Sequence, residues 1–562
     1  MANRKQVDTS RVLSILVCII FMIFSAVFAY YIYSLQLFPQ KYLVSGIVAL
    51  FVINLIIVVL LLTRSRKWKQ IVSGILLVIS VVGFIFAFRT LGSVDRFIKD
   101  MSDPENDTTI YSVIVMKDDS LQTASEVNGI EIGYETTADL NFAASLLPNN
   151  IGASANAYAS YPHLVNALYN GNERIILFNE SFRAIIDDTH PNFFTDTRIL
   201  DATNQEYLLR LNTPVETEQV TPIETEVTMP SLPPDNKTIE TVEGEGTDIE
   251  IIDETSPSDP TMPVGTTTVT EEPDSGGNTI VTIPENQITP AQTGSYQDYG
   301  SQGVDGVKPF TILISGIDTY GGIDTRSRSD VNIAAAVNPR TRQIMLVPVP
   351  RDSYVPIAGT GGYKDKLTHA GLLGPNSSAN SVANALGIRM DAYVKVNFST
   401  LINTINTLGG VTVYNPVTFT SVQGYHFPAG NIRLNGNQAL AFSRERKALG
   451  GGDSARGMNQ TRVIQGIINE ALKPHNLLNA NGILNSLSGT FRTNMSDSAI
   501  RTMINNQLNS GGGWSVQSYA LSGYGQTGLP SYFMPGYRLS FFVLNQNSVA
   551  GARSRLYNVL GN

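Results

Sequence analysis

Before position 90 the chain carries three almost wholly apolar runs, at 12–33, 42–62 and 71–88. As helices rising 1.5 Å per residue, each is long enough to cross a hydrocarbon core of about 30 Å. Three membrane spans are expected. A cleaved signal peptide competes for the first run, but that run is too long, shows no clear small-residue cleavage site and is followed at once by a second span. Arg4, Lys5 and Arg11 precede the first run, and Arg64, Arg66, Lys67 and Lys69 fill the loop before the third. The loop between the first two holds Lys41 alone. This bias puts the N-terminus in the cytoplasm and, after three crossings, everything beyond about Arg89 outside the membrane.

The 562 residues, 43% of them hydrophobic, allow several folded units. The single cysteine, Cys18, lies in an apolar run, which excludes a disulfide framework and a thiolate metal site. Net charge is −9, but between Glu216 and Glu285 there are 17 acids against one base, Lys237, so the remainder of the chain stands at +7. Residues 213–301, rich in Thr, Pro, Glu and Ser, have too little apolar surface to offset ordering entropy and read as a disordered linker or insertion. Residues 101–212 read as a small α/β accessory unit, with strand candidates at 111–117 and 174–179 and helix candidates at 140–147 and 161–171. Asp187, Asp188, His190 and Asp196 fall within ten positions, a spacing open to a metal. Acids in a polar, Pro-containing loop are ordinarily solvated, however, and no chemistry is assigned to them.

Chemistry gathers at 310–352. FTILIS (310–315), VNIAAAVN (331–338) and QIMLVPVP (343–350) read as strands, the last two joined by a tight turn at 339–342. Paired as an antiparallel meander, they bring Asp318, Arg326, Arg328, Asp330 and Arg351 to one rim. Two close carboxylates repel unless a cation lies between them, and an all-oxygen ligand set suits Mg²⁺ or a similar hard ion.

A Gly-rich turn then carries Lys364 and Lys366, and 380–386 and 398–408 read as helices. A short helix at 435–441 precedes 442–446, where Arg444 and Arg446, two apart, form a fork if the backbone is extended. A helix over 451–472, capped by Asp453 or Ser454, puts Arg456 and Gln460 on one face of its first turns, where free N–H groups favour anions. So many cations suit a pyrophosphate. There is no GxxxxGK[ST] loop for a nucleotide.

The ordered motifs Gly316-Ile-Asp318, Arg328-Ser-Asp330, Pro348-Val-Pro-Arg351-Asp352, Asp365-Lys366-Leu-Thr-His369, Gly409-Gly-Val411, Asn435-Gly-Asn-Gln-Ala-Leu440, Phe442-Ser-Arg-Glu-Arg446 and Gly452-Asp453…Arg456…Asn459-Gln460 resemble the LytR-CpsA-Psr (LCP) family over about 310–472. The three spans and accessory unit resemble its streptococcal CpsA-like, capsule-type members. The fold class expected is α/β: the anchor (1–100), the accessory domain (101–212), the acidic linker (213–301), and an LCP-type domain with a C-terminal extension (302–562). Helices should flank a central mixed or antiparallel sheet in that last domain.

The resemblance implies a membrane-bound transferase dependent on Mg²⁺ (or Mn²⁺). It would move capsule, teichoic acid or another glycopolymer from a polyprenyl-pyrophosphate carrier to a peptidoglycan hydroxyl, with the lipid in an apolar tunnel. Asp318 and Asp330 match the metal-holding acids and, with Arg351, the catalytic set. Arg328, Lys366, Arg444, Arg446, Arg456 and Gln460 match the pyrophosphate contacts. Asn459 stands where many members carry another arginine. Leu372, Leu386, Phe398, Leu401, Ile405, Val463 and Ile467 are tunnel candidates or plain core. Alternatives are a pyrophosphatase using water, a transcriptional attenuator or a structural surface protein. A nucleic-acid partner is not expected, because the cytoplasmic parts are a short tail and a basic loop without a helix-turn-helix.

Overall fold

The apolar runs fold as helices α1 (Thr9–Ser34), α2 (Gln40–Leu62) and α3 (Lys67–Met101) in a computed structural model of the chain. The structure describes residues 9–62, 67–102, 111–122, 130–135, 155–200, 271–273, 279–282, 292–295, 303–317, 323–473 and 489–561, with positions 126, 297, 476 and 487. Spans Ile15–Ser34, Gln40–Leu60 and Ile71–Met101 are long and apolar enough to cross a membrane, and the chain is a multi-pass membrane protein. Ile23, Phe51 and Phe86 stay more than half exposed, which lipid permits and water would penalise. Between α1 and α2, Ser25 Oγ donates to Asn54 Oδ1 at 3.1 Å, a polar contact of the kind that joins helices in lipid.

Helix α3 runs beyond the expected end at 88. Val94, Phe97, Ile98 and Met101 continue an apolar stripe that packs beneath the largest domain. Arg501 of that domain donates to Asp95 and to the Leu35 carbonyl at 3.0 Å, which ties it to the C-terminal ends of α3 and α1.

The accessory unit is a five-stranded sheet ordered Ala155–Tyr158, Ile132–Glu135, Ile175–Asn179, Tyr111–Met116, Thr197–Ile199, and it includes both expected strands. Helix α4 (Tyr161–Tyr169) is the expected one, its N-cap Ser160 accepting from the His163 N–H. The helix expected at 140–147 lies outside the described residues. A further helix, α5 (Arg183–Thr189), buries Ile185 and Ile186. Most of 213–301 also lies outside the described residues. Within it, Glu271–Pro273 and Thr279–Thr282 pair as strands, and the second adds to Tyr537–Leu544, an order its composition does not suggest.

The main sheet contains β1 (Phe310–Ile317), β2 (Ser329–Asn338), β3 (Gln343–Pro348), β4 (Ala392–Val396), β5 (Arg492–Thr493) and β6 (Ser515–Ser518). The first three form the expected meander, closed by Arg342 in the left-handed region at φ 56°. β4 lies parallel to β1 and β6 parallel to β3, giving the mixed order β5-β4-β1-β2-β3-β6.

Around the sheet stand α6 (Pro375–Leu386), α7 (Phe398–Thr407), α8 (Gly436–Arg444), α9 (Gly452–Ala471), α10 (Asp497–Ser510) and α11 (Gln546–Leu560). Period-two alternation divides its side chains. Leu313, Ala334, Ala336, Met345 and Val347 pack beneath α6 and α11, in a core continuous with Phe182 and Ile185 of the accessory unit. Ile312, Ile333, Ala335 and Leu346 face the other way, toward Ile464 and Ile468 of α9, Ile500 of α10 and Ile98 of α3. The segment after 511, expected only as a C-terminal extension, supplies the edge strand β6 and the covering helix α11. The tunnel candidates fall into separate cores: Leu372 and Leu386 join the first, while Ile405, Val463, Leu401 and Ile467 pack around α7 and α8.

Two glycines bring the site together. A Cβ on Gly371 would stand 2.4 Å from the Ser327 carbonyl, and one on Gly457 would stand 2.8 Å from Pro348 Cβ. Any side chain there would push apart the segments carrying Arg328 and Arg456. Phe442 of α8 is fully buried, edge-on to Phe427 at 5.2 Å, two residues before Arg444. Phe442→Ala is expected to destabilise this domain by about 3–5 kcal/mol in chemical denaturation.

Candidate functional site

The site forms where β2 starts and β3 ends. Pro348 and Pro350 bracket the end of β3, since a proline has no N–H to extend the ladder, and Arg351 follows. Its guanidinium donates to Asp330 Oδ2 at 2.6 Å, and Thr368 Oγ1 donates to Asp330 Oδ1 at 3.0 Å. Behind them Lys366 Nζ lies 3.1 Å from Asp352 Oδ1, with Arg351 Nε 3.7 Å and Arg446 3.9 Å from Asp352 Oδ2. Arg456 meets Asp453 at 2.6 Å, and the Arg444 guanidinium stands 4.5 Å from the centre of the Phe398 ring.

A cavity of about 350 Å³ opens over this group. Seven of the nine expected site residues line it: Arg328, Asp330, Arg351, Arg444, Arg446, Arg456 and Gln460. Lys366 does not; it is buried behind the floor on Asp352. Asp318, the other half of the expected carboxylate pair, lies outside the described residues. Among the described residues no three His, Cys, Asp or Glu side chains converge to hold a metal.

Local backbone departs from expectation at two points. Helix α8, with its Asn435/Gln438 capping box, runs through Arg444 instead of stopping at 441. The fork arises because Glu445 is extended (φ −65°, ψ 131°) and turns Arg446 back toward the same cavity. The Glu445 carboxylate accepts from the N–H groups of Val422, Arg446 and Ala448, so it builds the turn. Helix α9 begins at Gly452 after Gly451, without a side-chain cap, and Asp453 in its first turn pairs with Arg456.

Six basic and two acidic side chains line the cavity, and one of those acids, Glu445, is occupied by backbone. Burial pushes the Asp330 carboxyl up, but the guanidiniums of Arg351, Arg328 and Arg456 outweigh it and hold the group below the usual carboxylate range. Asp352, also buried, is held well below that range by Lys366 and Arg351. Burial raises Asp453, and neighbouring Asp352 adds to this against Arg456. The Asp330 carboxylate keeps Arg351 firmly protonated. A cavity so charged favours an anionic ligand over a neutral or cationic one.

A family model described as LytR_cpsA_psr matches residues 282–543. The polyisoprenyl-teichoic acid–peptidoglycan teichoic acid transferase TagU of Enterococcus faecalis is 42% identical over 193 residues, which are 34% of this chain and 62% of that protein. The protein of the same name in Oceanobacillus iheyensis is 34% identical over 223 residues, 38% of this chain and 68% of its own. The chain belongs to the LytR-CpsA-Psr family. The crystal structure of B. subtilis TagU aligns with 28% identity and a TM-score of 0.35, covering 45% of this chain and 97% of that one.

The family motifs contain both the cavity lining and the acids beneath it, Asp352 and Asp453, but assign those acids no role. Asp352 was legible as the residue after Arg351, and Asp453 only as a cap. Asp188, noted only as one of four residues in a spacing open to a metal, meets Arg328 at 2.9 Å from 140 positions away, a pairing that nothing local indicates.

Asp352 makes acid stability a test. Its folded-state value lies below the unfolded one of about 4. Its stabilisation is therefore complete above that pH and is lost as pH falls toward the folded value. Asp352→Asn is expected to cost about 3 kcal/mol at pH 7 by leaving Lys366 buried without its counter-charge. In denaturation curves from pH 7 to 3, the variant should lose less stability with acid than the unaltered protein.

Proposed function

We propose that this chain is a membrane-anchored phosphotransferase that moves a glycopolymer from a polyprenyl-pyrophosphate carrier to a sugar hydroxyl of peptidoglycan, outside the cytoplasmic membrane. The observation that carries the reading is the joining of two chemistries in one cavity. Its floor is cationic, and its Val331 wall belongs to the apolar layer that runs between the sheet and α9 to Leu35, Leu37 and Ile98 at the membrane helices. A lipid diphosphate has that polarity. The names of the matched TagU proteins, and the loop charges that put the N-terminus inside, support the same reading. Teichoic acid and capsule are both polymers of the proposed class, the second in keeping with the capsule-type layout of anchor and accessory unit.

In the proposed transfer the acceptor oxygen forms a bond to the sugar-side phosphorus, the bridging P–O bond of the diphosphate breaks, and polyprenyl monophosphate leaves. The hydroxyl proton passes to solvent. Arg351, Arg444, Arg446 and Arg456 hold the two phosphoryl groups in line and meet the charge that grows on the leaving phosphate. Gln460 and Arg328 complete the contacts, and Lys366 acts from behind by keeping Asp352 ionised and in place.

A divalent cation fits this set. Asp330 is held ionised at the cavity wall, and Mg²⁺ ordinarily takes one or two carboxylates with the rest of its shell from water and phosphate oxygens. Asp330, with Asp318 as the second acid, would hold Mg²⁺ or Mn²⁺, which would neutralise phosphate charge.

The test is to incubate the purified chain with a synthetic polyprenyl-pyrophosphoryl sugar, Mg²⁺ and a peptidoglycan fragment. Expected products are sugar phosphate bound covalently to peptidoglycan and one polyprenyl monophosphate per transfer. Arg351→Ala should lower kcat by about 100-fold or more. Release of monophosphate without transfer, with acceptor present, would identify a pyrophosphatase instead; no turnover at all would sink the reading.

A further inference from the structure

One site arginine is held from outside the main domain. Arg328 lies in the irregular segment just before β2, where no strand ladder fixes it, and its guanidinium lines the cavity. Its Nη1 donates to Asp188 Oδ2 at 2.9 Å, with side chains only 14% and 8% exposed. Asp188 belongs to α5 of the accessory unit, three residues after Ile185, so the two share a helix face. The helix is docked firmly: Ile185 on that face and the adjacent Ile186 are fully buried in the core shared with Leu372 and Tyr537, and the rings of Phe182 and Phe533 lie 5.8 Å apart.

We propose that Asp188 is a positioning residue of the transfer site, contributed by the accessory unit, which holds Arg328 in the orientation that meets the ligand's diphosphate. This deepens the transferase reading and rests on it. A guanidinium is planar, so fixing one N–H sets where the others point. The charge of Arg328 also acts on Asp330, which already accepts from Arg351 and Thr368. Released from Asp188, Arg328 turns toward Asp330 and competes for the carboxylate around which the cavity is built. The accessory unit thus completes the wall of the site, and Asp188 acts through Arg328 without touching the reacting atoms.

A double-mutant cycle tests this with the purified full chain, using geranylgeranyl pyrophosphate as the probe and calorimetry as the readout. Asp188→Ala should weaken binding by about five- to tenfold, the scale of one charge-assisted contact. In an Arg328→Ala background the same change should have no further effect. Asp188→Asn, which keeps the shape and one acceptor, should fall between; it stands in if the alanine variant unfolds early in a thermal scan. Equal weakening in both backgrounds, or no weakening in either, overturns the inference and leaves the transferase reading intact. Failure of the unaltered protein to bind the probe overturns that reading and this inference with it.

Discussion

Asp330 and Arg351 meet at 2.6 Å at the rim of the main sheet, with both side chains largely out of water. Their meeting is a property of register. Ile333 of β2 pairs with Pro348 of β3, and the chain then needs only Val349 and Pro350 to bring Arg351 opposite Asp330. Removing either partner would leave the other charged and desolvated, at a cost of about 3–5 kcal/mol. The rest of the cationic group is built outward from that contact. Asp352 steadies Lys366, Arg351 and Arg446 from beneath, and Asp453 steadies Arg456. Counter-charges behind the floor let several guanidiniums approach a single cavity without driving it apart.

The same sheet sets the cavity against the membrane. Its second face is apolar from β4 to β6, and α9, α10 and the end of α3 close over it in one layer. Because α3 continues beyond the lipid into that layer, and Arg501 fastens α10 to Asp95 and Leu35, the domain is seated on its anchor instead of hanging from a tether. The cavity is then held in a set position relative to the three apolar helices. The lipid-linked substrate proposed above would need that geometry.

Short-range regularities in the chain were legible. Uniform apolar runs gave the spans, alternation gave the β1–β3 meander, and the i, i+4 spacing put Arg456 and Gln460 on one face. The motif order gave most of the cavity lining. What escaped was set by contacts distant in sequence. The continuation of α3 depends on the layer it packs against, and the turn at Glu445 depends on N–H donors from Val422 and Ala448. Lys366 looked like a ligand contact because its partner, Asp352, is revealed only by the hairpin that pairs Tyr354 with Lys366. Asp188 looked like a solvated acid because the nearby Arg183 pairs with Glu180, and the arginine that does meet Asp188, Arg328, lies 140 positions away.

The central claim is that this cationic cavity exists to hold a lipid-borne diphosphate. An experimental structure of the full chain with a polyprenyl pyrophosphate bound tests it most directly. Both phosphates should lie among Arg351, Arg444, Arg446 and Arg456, with the prenyl chain running past Val331 toward the membrane helices. Phosphates bound elsewhere, or a prenyl chain leading away from that apolar layer, would contradict the account.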